Sequence, residues 1–333
     1  MHTLTVRNVN SALSEATWWL HVAGVDEASR NGPVRVAPGP VCTVYQCPLE
    51  RVLFHPVRDA NPFFHFMEAL WMLAGRNDVA SVKEYNQQIG KYSDDDEVFH
   101  GAYGFRWREW YGFDQLTELV ELLRTDPETR RAVLSMWSAS GDLVASEGMG
   151  GVHAKDIPCN TQAYLDLRGG VLNMTVTCRS NDAIWGAYGA NAVQFSFLLE
   201  YLATHLGVPV GVYRQFSNNL HVYKNLPNYA DLMPTHNCNA SVLYEVGAVA
   251  PLPILAPEET IAEFDEDLES FFTAAPGGVP RLNTFFFKNV ASPMRAAWRE
   301  RKAGQGTGRA LAETIAATDW RRACVNWLDR RAK

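Results

Sequence analysis

The sequence predicts an α/β protein of the α+β type, in which helices cover a large mixed or antiparallel sheet. Three β-rich runs, at 132–137, 163–178 and 210–223, are separated by stretches with helical periodicity. Neither face of these strands shows a clear row of polar residues, so other parts of the protein should cover both faces of the sheet. At 333 residues, with no repeat and no clear linker, the chain is expected to form one domain over 1–333.

Helices are predicted where apolar residues recur at helical spacing and where capping residues mark the ends. Asn61-Pro62 should start a helix, because an Asn before a Pro suits a helix N-terminus. Gly207 should end another, because glycine readily takes the left-handed conformation of a helix C-terminus. The predicted helices are 62–73, 116–123, 193–206, 258–272 and 318–331. The glycine-rich stretch 141–152 is expected to be a loop.

The most informative local pattern is a β-hairpin in the middle of the chain. Its two β-rich runs flank Gly169-Gly170, and a Gly-Gly pair suits the positive φ angles of a two-residue turn. Antiparallel pairing would bring Cys159 back beside Arg179 and Ser180. A nearby guanidinium lowers a thiol pKa, and the thiolate is the nucleophilic form. Cys159 is therefore a candidate nucleophile, although most lone cysteines are small buried hydrophobes.

Other candidate residues are weaker when each is taken alone. Glu68 interrupts the apolar surface of the helix that starts at Pro62, so it is either a buried acid with a raised pKa or a residue at the solvent edge. His221 and Tyr223 share one face of a predicted strand, where a structural role is the commoner one. Arg30 is either a solvated loop charge or a phosphate ligand. Arg130 and Arg131 either cap a helix C-terminus or reach an anion.

Composition argues against several classes of protein. The net charge of −7 speaks against general nucleic-acid binding. No apolar run reaches the length of a membrane span, and the N-terminus lacks the pattern of a secretion signal, so we expect no membrane association and a cytoplasmic location. The six cysteines, at 42, 47, 159, 178, 238 and 324, match no metal-ligand spacing, so no metal is expected.

Taken together, the motifs resemble the thymidylate synthase family, which includes the pyrimidine nucleotide hydroxymethylases of phages and antibiotic pathways. The motifs are Glu68 to Gly75, Tyr103-Gly104 with Arg106-Trp107-Arg108, Arg130-Arg131, Pro158-Cys159, Arg179 to Asp182, Asn191 ahead of a helix, and His221 to Tyr223. The resemblance extends from Arg30 to about Asn225 and weakens at both ends. It implies a thymidylate-synthase-like catalytic domain that forms a homodimer through its sheet.

The resemblance also implies a reaction and a role for each site residue. Cys159 would attack C6 of a pyrimidine nucleoside monophosphate, and C5 would take a one-carbon unit from 5,10-methylenetetrahydrofolate. Glu68, Tyr103 and Asn160 would complete the catalytic group. The implied ligands are Arg30, Arg179, Ser180 and the other subunit's Arg130 and Arg131 for the phosphate; Asn191 for the base; His221 and Tyr223 for the sugar; and Asp182, Gly90 and Trp71 for folate.

Departures from the family pattern favour hydroxymethylation over methylation. Asn160 stands where the synthases have histidine, Gly90 where they have an indole, and Asp156 where they have leucine. The chain also ends in a charged segment instead of a short apolar tail. Each change would admit water, which converts a methylene into a hydroxymethyl group, whereas a dry intermediate awaits hydride. A thymidylate synthase that makes dTMP by reductive methylation is the alternative.

Two questions leave further alternatives, namely which pyrimidine base the substrate carries and whether the protein belongs to another class. The Asn191 carboxamide favours uracil, because it can accept from N3–H and donate to O4. The family pattern needs one inserted residue between Gly186 and Asn191, so cytosine stays open, while Ser180 and Arg130 lean toward a deoxyribonucleotide. Outside this family, a cysteine hydrolase could use Cys159 with His221, but it lacks an oxyanion glycine turn. A catalytically silent nucleotide-binding protein is the remaining alternative.

Overall fold

The computed structural model describes residues 1–144, 154–233, 239–274 and 280–332. Within these residues the strands form two sheets. The strands, in chain order, are β1 His2–Val6, β2 Val25–Ser29, β3 Gly32–Val36, β4 Val41–Tyr45, β5 Val133–Ser135, β6 Asn160–Arg168, β7 Val171–Cys178, β8 Asn181–Asp182, β9 Val210–Ser217 and β10 Leu220–Tyr223. The large sheet has the order β1-β4-β9-β7-β6-β5, and the small sheet has the order β2-β3-β10-β8.

The described helices include all five that the sequence predicts, namely α2, α5, α6, α9 and α12 in the numbering that follows. The α-helices are α1 Val9–Ala23, α2 Pro62–Leu73, α3 Val79–Lys83, α4 Tyr103–Arg108, α5 Gln115–Thr125, α6 Ala192–Leu206, α7 Tyr229–Leu232, α8 Val242–Glu245, α9 Ile261–Thr273, α10 Ser292–Lys302, α11 Arg309–Glu313 and α12 Thr318–Asp329. Short 3-10 helices lie at Gln87–Tyr92 and Asn239–Ser241, and π-helical segments at Ala139–Leu143, Ala183–Asn191 and Phe287–Ala291.

Local signals placed the helix ends and the hairpin correctly. The Asn61 side chain accepts hydrogen bonds from the first backbone N–H groups of α2, and Gly207 ends α6 with a φ of 67°. The turn between β6 and β7 uses Gly169 and Gly170 at φ angles of 63° and 77°. Positive φ angles of this kind favour glycine, because a Cβ would crowd the backbone.

The large sheet is mixed, as predicted. β1 pairs with β4 and β7 with β9 in parallel, while the remaining neighbours are antiparallel. Two predicted boundaries were wrong. The run 132–137 yields only the short edge strand β5, and the run 210–223 is divided between β9 in the large sheet and β10 in the small one. The break falls at Asn218-Asn219, where the chain leaves one sheet for the other.

The prediction that the strands are polar on neither face was also wrong. One row across the large sheet is buried on a single face, where α1, α5 and α6 pack; its residues are Leu4, Thr43, Gln215, Val176, Ala163 and Leu134. The neighbouring row points to the other face and is exposed or half-buried; its residues are Thr5, Val44, Arg214, Thr175, Tyr164 and Val133. Within the described residues, the chain therefore covers only one face of its large sheet.

The small sheet gathers segments that are far apart in the sequence. β10 pairs antiparallel with β3 and parallel with β8, so that His221 lies opposite both Val36 and Asp182. β3 in turn forms a hairpin with β2, and Arg30 lies at the tip of that hairpin. The small sheet thus brings together one predicted ligand of the phosphate, Arg30, the two of the sugar, His221 and Tyr223, and one of folate, Asp182.

Two sequence predictions reach beyond the described residues. The predicted loop over 141–152 begins with the end of a π-helical turn, Ala139–Leu143, in which Asp142 pairs with the buried Arg106 at 2.6 Å. Residues 145–152 lie outside the described part of the chain, as does Cys238. The other five cysteines are free thiols. In the described ranges no helix is both long and apolar enough to cross a bilayer.

Candidate active site

The hairpin places Cys159 where the sequence predicts it, immediately before β6 and half-buried. The backbone N–H of Arg179 donates to the Cys159 carbonyl at 2.9 Å, so the two residues lie side by side. The Arg179 guanidinium donates to the carbonyls of Pro158 at 2.9 Å and Ile157 at 3.1 Å. This side chain therefore supports the backbone that leads into the nucleophile, and it also remains exposed to solvent.

Arg179 does lower the pKa of the Cys159 thiol, as predicted, but other effects on this pKa are larger. The pKa of the Cys159 thiol is raised above the usual value, first by burial and then by the Asp156 carboxylate, while Arg179 opposes both. Burial wins because it removes the water that would stabilise the thiolate. The thiol of the free protein is therefore protonated at neutral pH, and attack on a substrate requires loss of this proton.

Asn160 follows the nucleophile and is fully buried, at 0% exposure. Its backbone N–H donates to the Tyr103 hydroxyl oxygen at 3.2 Å, which ties α4 to the nucleophile. Neither Oδ1 nor Nδ2 of its carboxamide has a partner at full hydrogen-bond geometry among the described residues, although the carboxamide lies close enough to the Tyr103 hydroxyl to favour its ionised form. A buried amide without partners is costly, so water or a bound ligand is expected to satisfy it.

Glu68 lies on α2 and faces α6, where Gln194 Nε2 donates to Glu68 Oε2 at 2.7 Å. Burial raises the pKa of Glu68 to about 7, and the Gln194 contact offsets only part of this effect. The alternative position at the solvent edge was therefore wrong. Gln194 Oε1 has no partner among the described residues, which adds a second buried polar atom for water or substrate.

Asp182 and His221 form a pair across β8 and β10. Asp182 Oδ1 accepts from the N–H groups of Ile184, at 2.9 Å, and Trp185, and thereby caps the π-helical segment Ala183–Asn191. Burial raises the pKa of Asp182 and lowers that of His221, so each charge is disfavoured. His221 and Tyr223 share a face, as predicted, with perpendicular rings 5.2 Å apart.

Arg58 is a buried guanidinium that sequence reasoning missed. Its Nε donates to the Ile184 carbonyl at 2.8 Å, and the guanidinium lies 4.1 Å above the Trp185 ring. Burial lowers its pKa to about 10, with Asp182 partly opposing the shift. The Trp185 ring itself is 54% exposed, so this pair lines the approach to Asp182. An arginine in a polar loop gives no sequence signal of such burial.

Asn191 ends the π-helical segment and directly precedes α6, as predicted. Its Nδ2 donates to Asn181 Oδ1 at 3.2 Å, and Asn181 Nδ2 donates to Ser217 Oγ at 3.0 Å. All three side chains are buried. The Asn191 carboxamide is thus held by a chain of buried polar contacts.

A family model described as thymidylate synthase matches residues 59–240. The chain belongs to the thymidylate synthase family. A deoxyuridylate hydroxymethyltransferase of Pseudomonas phage M6 is 46% identical over 343 residues, covering 99% of this chain and 95% of that protein. One of Bacillus phage SP01 is 41% identical over 194 residues, covering 55% of this chain and 49% of that protein. The crystal structure of thymidylate synthase from T4 phage aligns at 18% identity and a TM-score of 0.49, covering 64% of this chain and 76% of that one.

The inserted residue that the thymidylate synthase pattern needs between Gly186 and Asn191 falls in the π-helical segment. A π-helical turn holds one residue more than an α-helical turn, so an insertion can be absorbed without moving the following helix. The segment has non-helical angles at Tyr188 (φ −103°, ψ 20°). Asn191 directly precedes α6, whereas the inserted residue itself stays a prediction.

The remaining predicted thymidylate-synthase-type residues lie on elements other than the hairpin that carries the nucleophile. Arg130 and Arg131 are exposed in the turn before the edge strand β5. Trp71 is buried against Phe99, and its indole N–H donates to Asp78 at 3.2 Å. Gly90 lines a surface cavity of about 470 Å³ that is also lined by Lys83, Gln87, Lys91, Ser93, Asp94, Asp96 and Lys155. A Cβ at position 90 would lie 3.2 Å from the Lys83 side chain.

Proposed function

We propose that this protein converts dUMP into 5-hydroxymethyl-dUMP with 5,10-methylenetetrahydrofolate as the one-carbon donor. The observation that carries the proposal is the Asn160 carboxamide, which is buried beside the nucleophile with both polar atoms unpaired among the described residues. A group of this kind can hold a water molecule against the reacting carbon. The name of the Pseudomonas phage relative, which aligns along almost the whole chain, supports the same substrate and product.

The nucleotide would be held by arginines at its phosphate and by polar side chains at its sugar and base. Arg179 and Ser180 lie at the end of β7, next to the nucleophile, and Arg30 lies on the hairpin that joins the small sheet. These residues would bind the 5′-phosphate, because guanidinium groups bind phosphate oxygens through paired hydrogen bonds. His221 and Tyr223 would contact the sugar 3′-hydroxyl from β10, and Asn191 would contact the base.

Proton transfer falls to Glu68 and Tyr103. With a pKa of about 7, Glu68 can both accept and release a proton near neutral pH, which suits a general acid and base. The Tyr103 hydroxyl already accepts from the Asn160 backbone, so it adjoins the nucleophile. The Cys159 thiol, whose pKa is raised, would pass its proton through ordered water to the Glu68 carboxylate as the sulfur bonds to C6 of the base.

The folate would be bound by Asp182, with Gly90 and Trp71 toward its outer part. Asp182 Oδ2 is buried and unpaired among the described residues, so it can accept from a ring N–H. When bound, the folate supplies the one-carbon unit at C5. Loss of the C5 proton and departure of tetrahydrofolate would leave a methylene group on C5. Water held by Asn160 would add its hydroxyl to this methylene, and the electron pair of the S–C6 bond would return to Cys159, which takes up the remaining proton of the water. A dry site would favour reductive methylation to dTMP, which is the alternative function.

We further propose that the single-domain chain forms a homodimer through the uncovered face of its large sheet, so that Arg130 and Arg131 reach the phosphate of the other subunit. This face includes the 42% exposed Tyr164. Sedimentation at micromolar concentration is expected to give a dimer, and a Tyr164→Asp variant should dissociate and lose nucleotide affinity because a charge is buried at the contact. The control Phe113→Asp changes another exposed aromatic residue, which is 53% exposed and lies outside this sheet. A wild-type monomer with full activity would contradict the shared site.

The proposed reaction is tested by mass spectrometry of the products from dUMP, dCMP, UMP and CMP, each with methylenetetrahydrofolate. The expected result is 5-hydroxymethyl-dUMP with tetrahydrofolate, because water and not hydride completes the transfer. Near-ultraviolet absorbance should not rise, since no dihydrofolate forms. Production of dTMP with dihydrofolate would show a methylating synthase instead, and absence of any product with all four nucleotides would favour a silent binding protein.

A further inference from the structure

The carboxamide of Asn191 can present either of two faces to a base, and the difference decides which pyrimidine fits. With Oδ1 accepting from N3–H and Nδ2 donating to O4, it matches uracil. Turned by 180°, it would donate to N3 and accept from the 4-amino group, which matches cytosine. An unconstrained amide can adopt both orientations, so the residue alone does not select uracil.

We infer that Asn181 is a specificity-determining residue that holds the Asn191 carboxamide in the uracil-reading orientation. This inference rests on the proposed function and adds the group that selects uracil over cytosine. Asn191 Nδ2 donates to Asn181 Oδ1 at 3.2 Å, which uses one of the two amide hydrogens. The second hydrogen and Oδ1 remain for a base, in the pattern that uracil requires.

Two further contacts fix the position of Asn181. Its Nδ2 donates to Ser217 Oγ at 3.0 Å, and its backbone N–H donates to the Asn219 carbonyl at 2.8 Å. A Cβ at Gly186 would lie 2.8 Å from Asn181 Oδ1, so a glycine at that position leaves room for the oxygen that Asn191 contacts. Both amides are buried, at 2% and 6% exposure, which excludes bulk water as a substitute partner.

Turning Asn191 alone toward cytosine would face two amide oxygens against each other in a buried site. Neither oxygen could donate, so both would lose a partner, and a buried acceptor without a partner is unfavourable. The loss corresponds to a discrimination of roughly tenfold or more against the cytosine nucleotide. Asn181 thus acts through Asn191 and touches neither the base nor the reacting carbons.

The inference is tested by the ratio of kcat/KM for dUMP to kcat/KM for dCMP. Asn181→Ala should lower this ratio by roughly tenfold, because the Asn191 amide can then turn freely. The matched control Asn181→Asp keeps an acceptor at the same place, so its ratio should remain at or above that of the wild type. Damage to the fold alone would lower both rates and leave the ratio unchanged.

A second variant covers the case in which Asn181→Ala does not fold. Ser217→Ala removes the partner of Asn181 Nδ2, so it should shift the ratio in the same direction by a smaller factor. An unchanged ratio in whichever of these two variants folds overturns the inference, as does a lowered ratio in Asn181→Asp. Failure of the proposed function is a distinct result, because the wild-type protein would then form no 5-hydroxymethyl-dUMP.

Discussion

Replacing Cys159 with Ser is expected to lower turnover of dUMP by roughly a thousandfold or more while leaving nucleotide binding in place. The serine hydroxyl is a far weaker nucleophile than a thiol near neutral pH, and the buried position makes its deprotonation harder still. Arg179 and Ser180 remain in the variant, so the phosphate contacts persist. Turnover is measured by product mass spectrometry, and dUMP affinity by calorimetry.

The chain offers a matched control in Cys47. This thiol is also half-buried, burial also raises its pKa, and the Arg7 guanidinium opposes that shift as Arg179 does for Cys159. Cys47→Ser should therefore leave both turnover and affinity unchanged. If Cys159→Ser kept substantial product formation, the bond between sulfur and C6 would not be part of the reaction, and the assignment of the nucleophile would be wrong.

The position of Cys159 could be predicted from sequence because it depends on local pairing. A Gly-Gly turn fixes the register of a hairpin, and the register decides which residue returns beside which. The net direction of the thiol pKa could not be predicted in the same way. Burial of the sulfur depends on how other segments pack around it, while the sequence showed only the favourable charge of Arg179.

Contacts between distant segments account for what sequence reasoning missed. Gln194, the partner of Glu68, lies 126 residues away along the chain, and Arg58 meets Ile184 over the same separation. Asn181 lies within the motif Arg179 to Asp182, but the sequence predicted functional roles only for the other three residues of that motif. The division of the run 210–223 into two sheets was likewise hidden, because strand propensity does not show where a chain changes its partner strand.

Glu68→Gln is expected to change activity and stability in opposite directions. Turnover should fall by about 10²–10⁴-fold, because the amide cannot transfer protons. At high pH the variant should have a higher free energy of unfolding than the wild type, because the pKa of Glu68 is raised in the folded protein. Below about pH 4.5 the carboxyl group is protonated in both states, whereas between 4.5 and about 7 the unfolded chain loses the proton that the folded protein keeps.

The unfolded state binds fewer protons in this interval, so the free energy of unfolding falls as pH rises through it. The shift from 4.5 to about 7 corresponds to about 3 kcal/mol, lost in full above pH 7. Glutamine carries no such penalty. Urea unfolding should therefore give the same free energy of unfolding for variant and wild type at about pH 4.5, and a higher one for the variant at about pH 8.

Glu200 gives the contrasting case within the same core. It is as buried as Glu68, but its carboxylate pairs with the buried Arg51 and accepts from the Ile254 N–H at 3.0 Å. Glu200→Gln should therefore destabilise the protein at neutral pH by about 3–5 kcal/mol, because it leaves a buried guanidinium without its counter-ion. Suppose that both variants change the free energy of unfolding near pH 8 in the same direction. Glu68 would then not be a buried acid without a counter-ion, as its raised pKa requires, and its proposed role in proton transfer would be wrong.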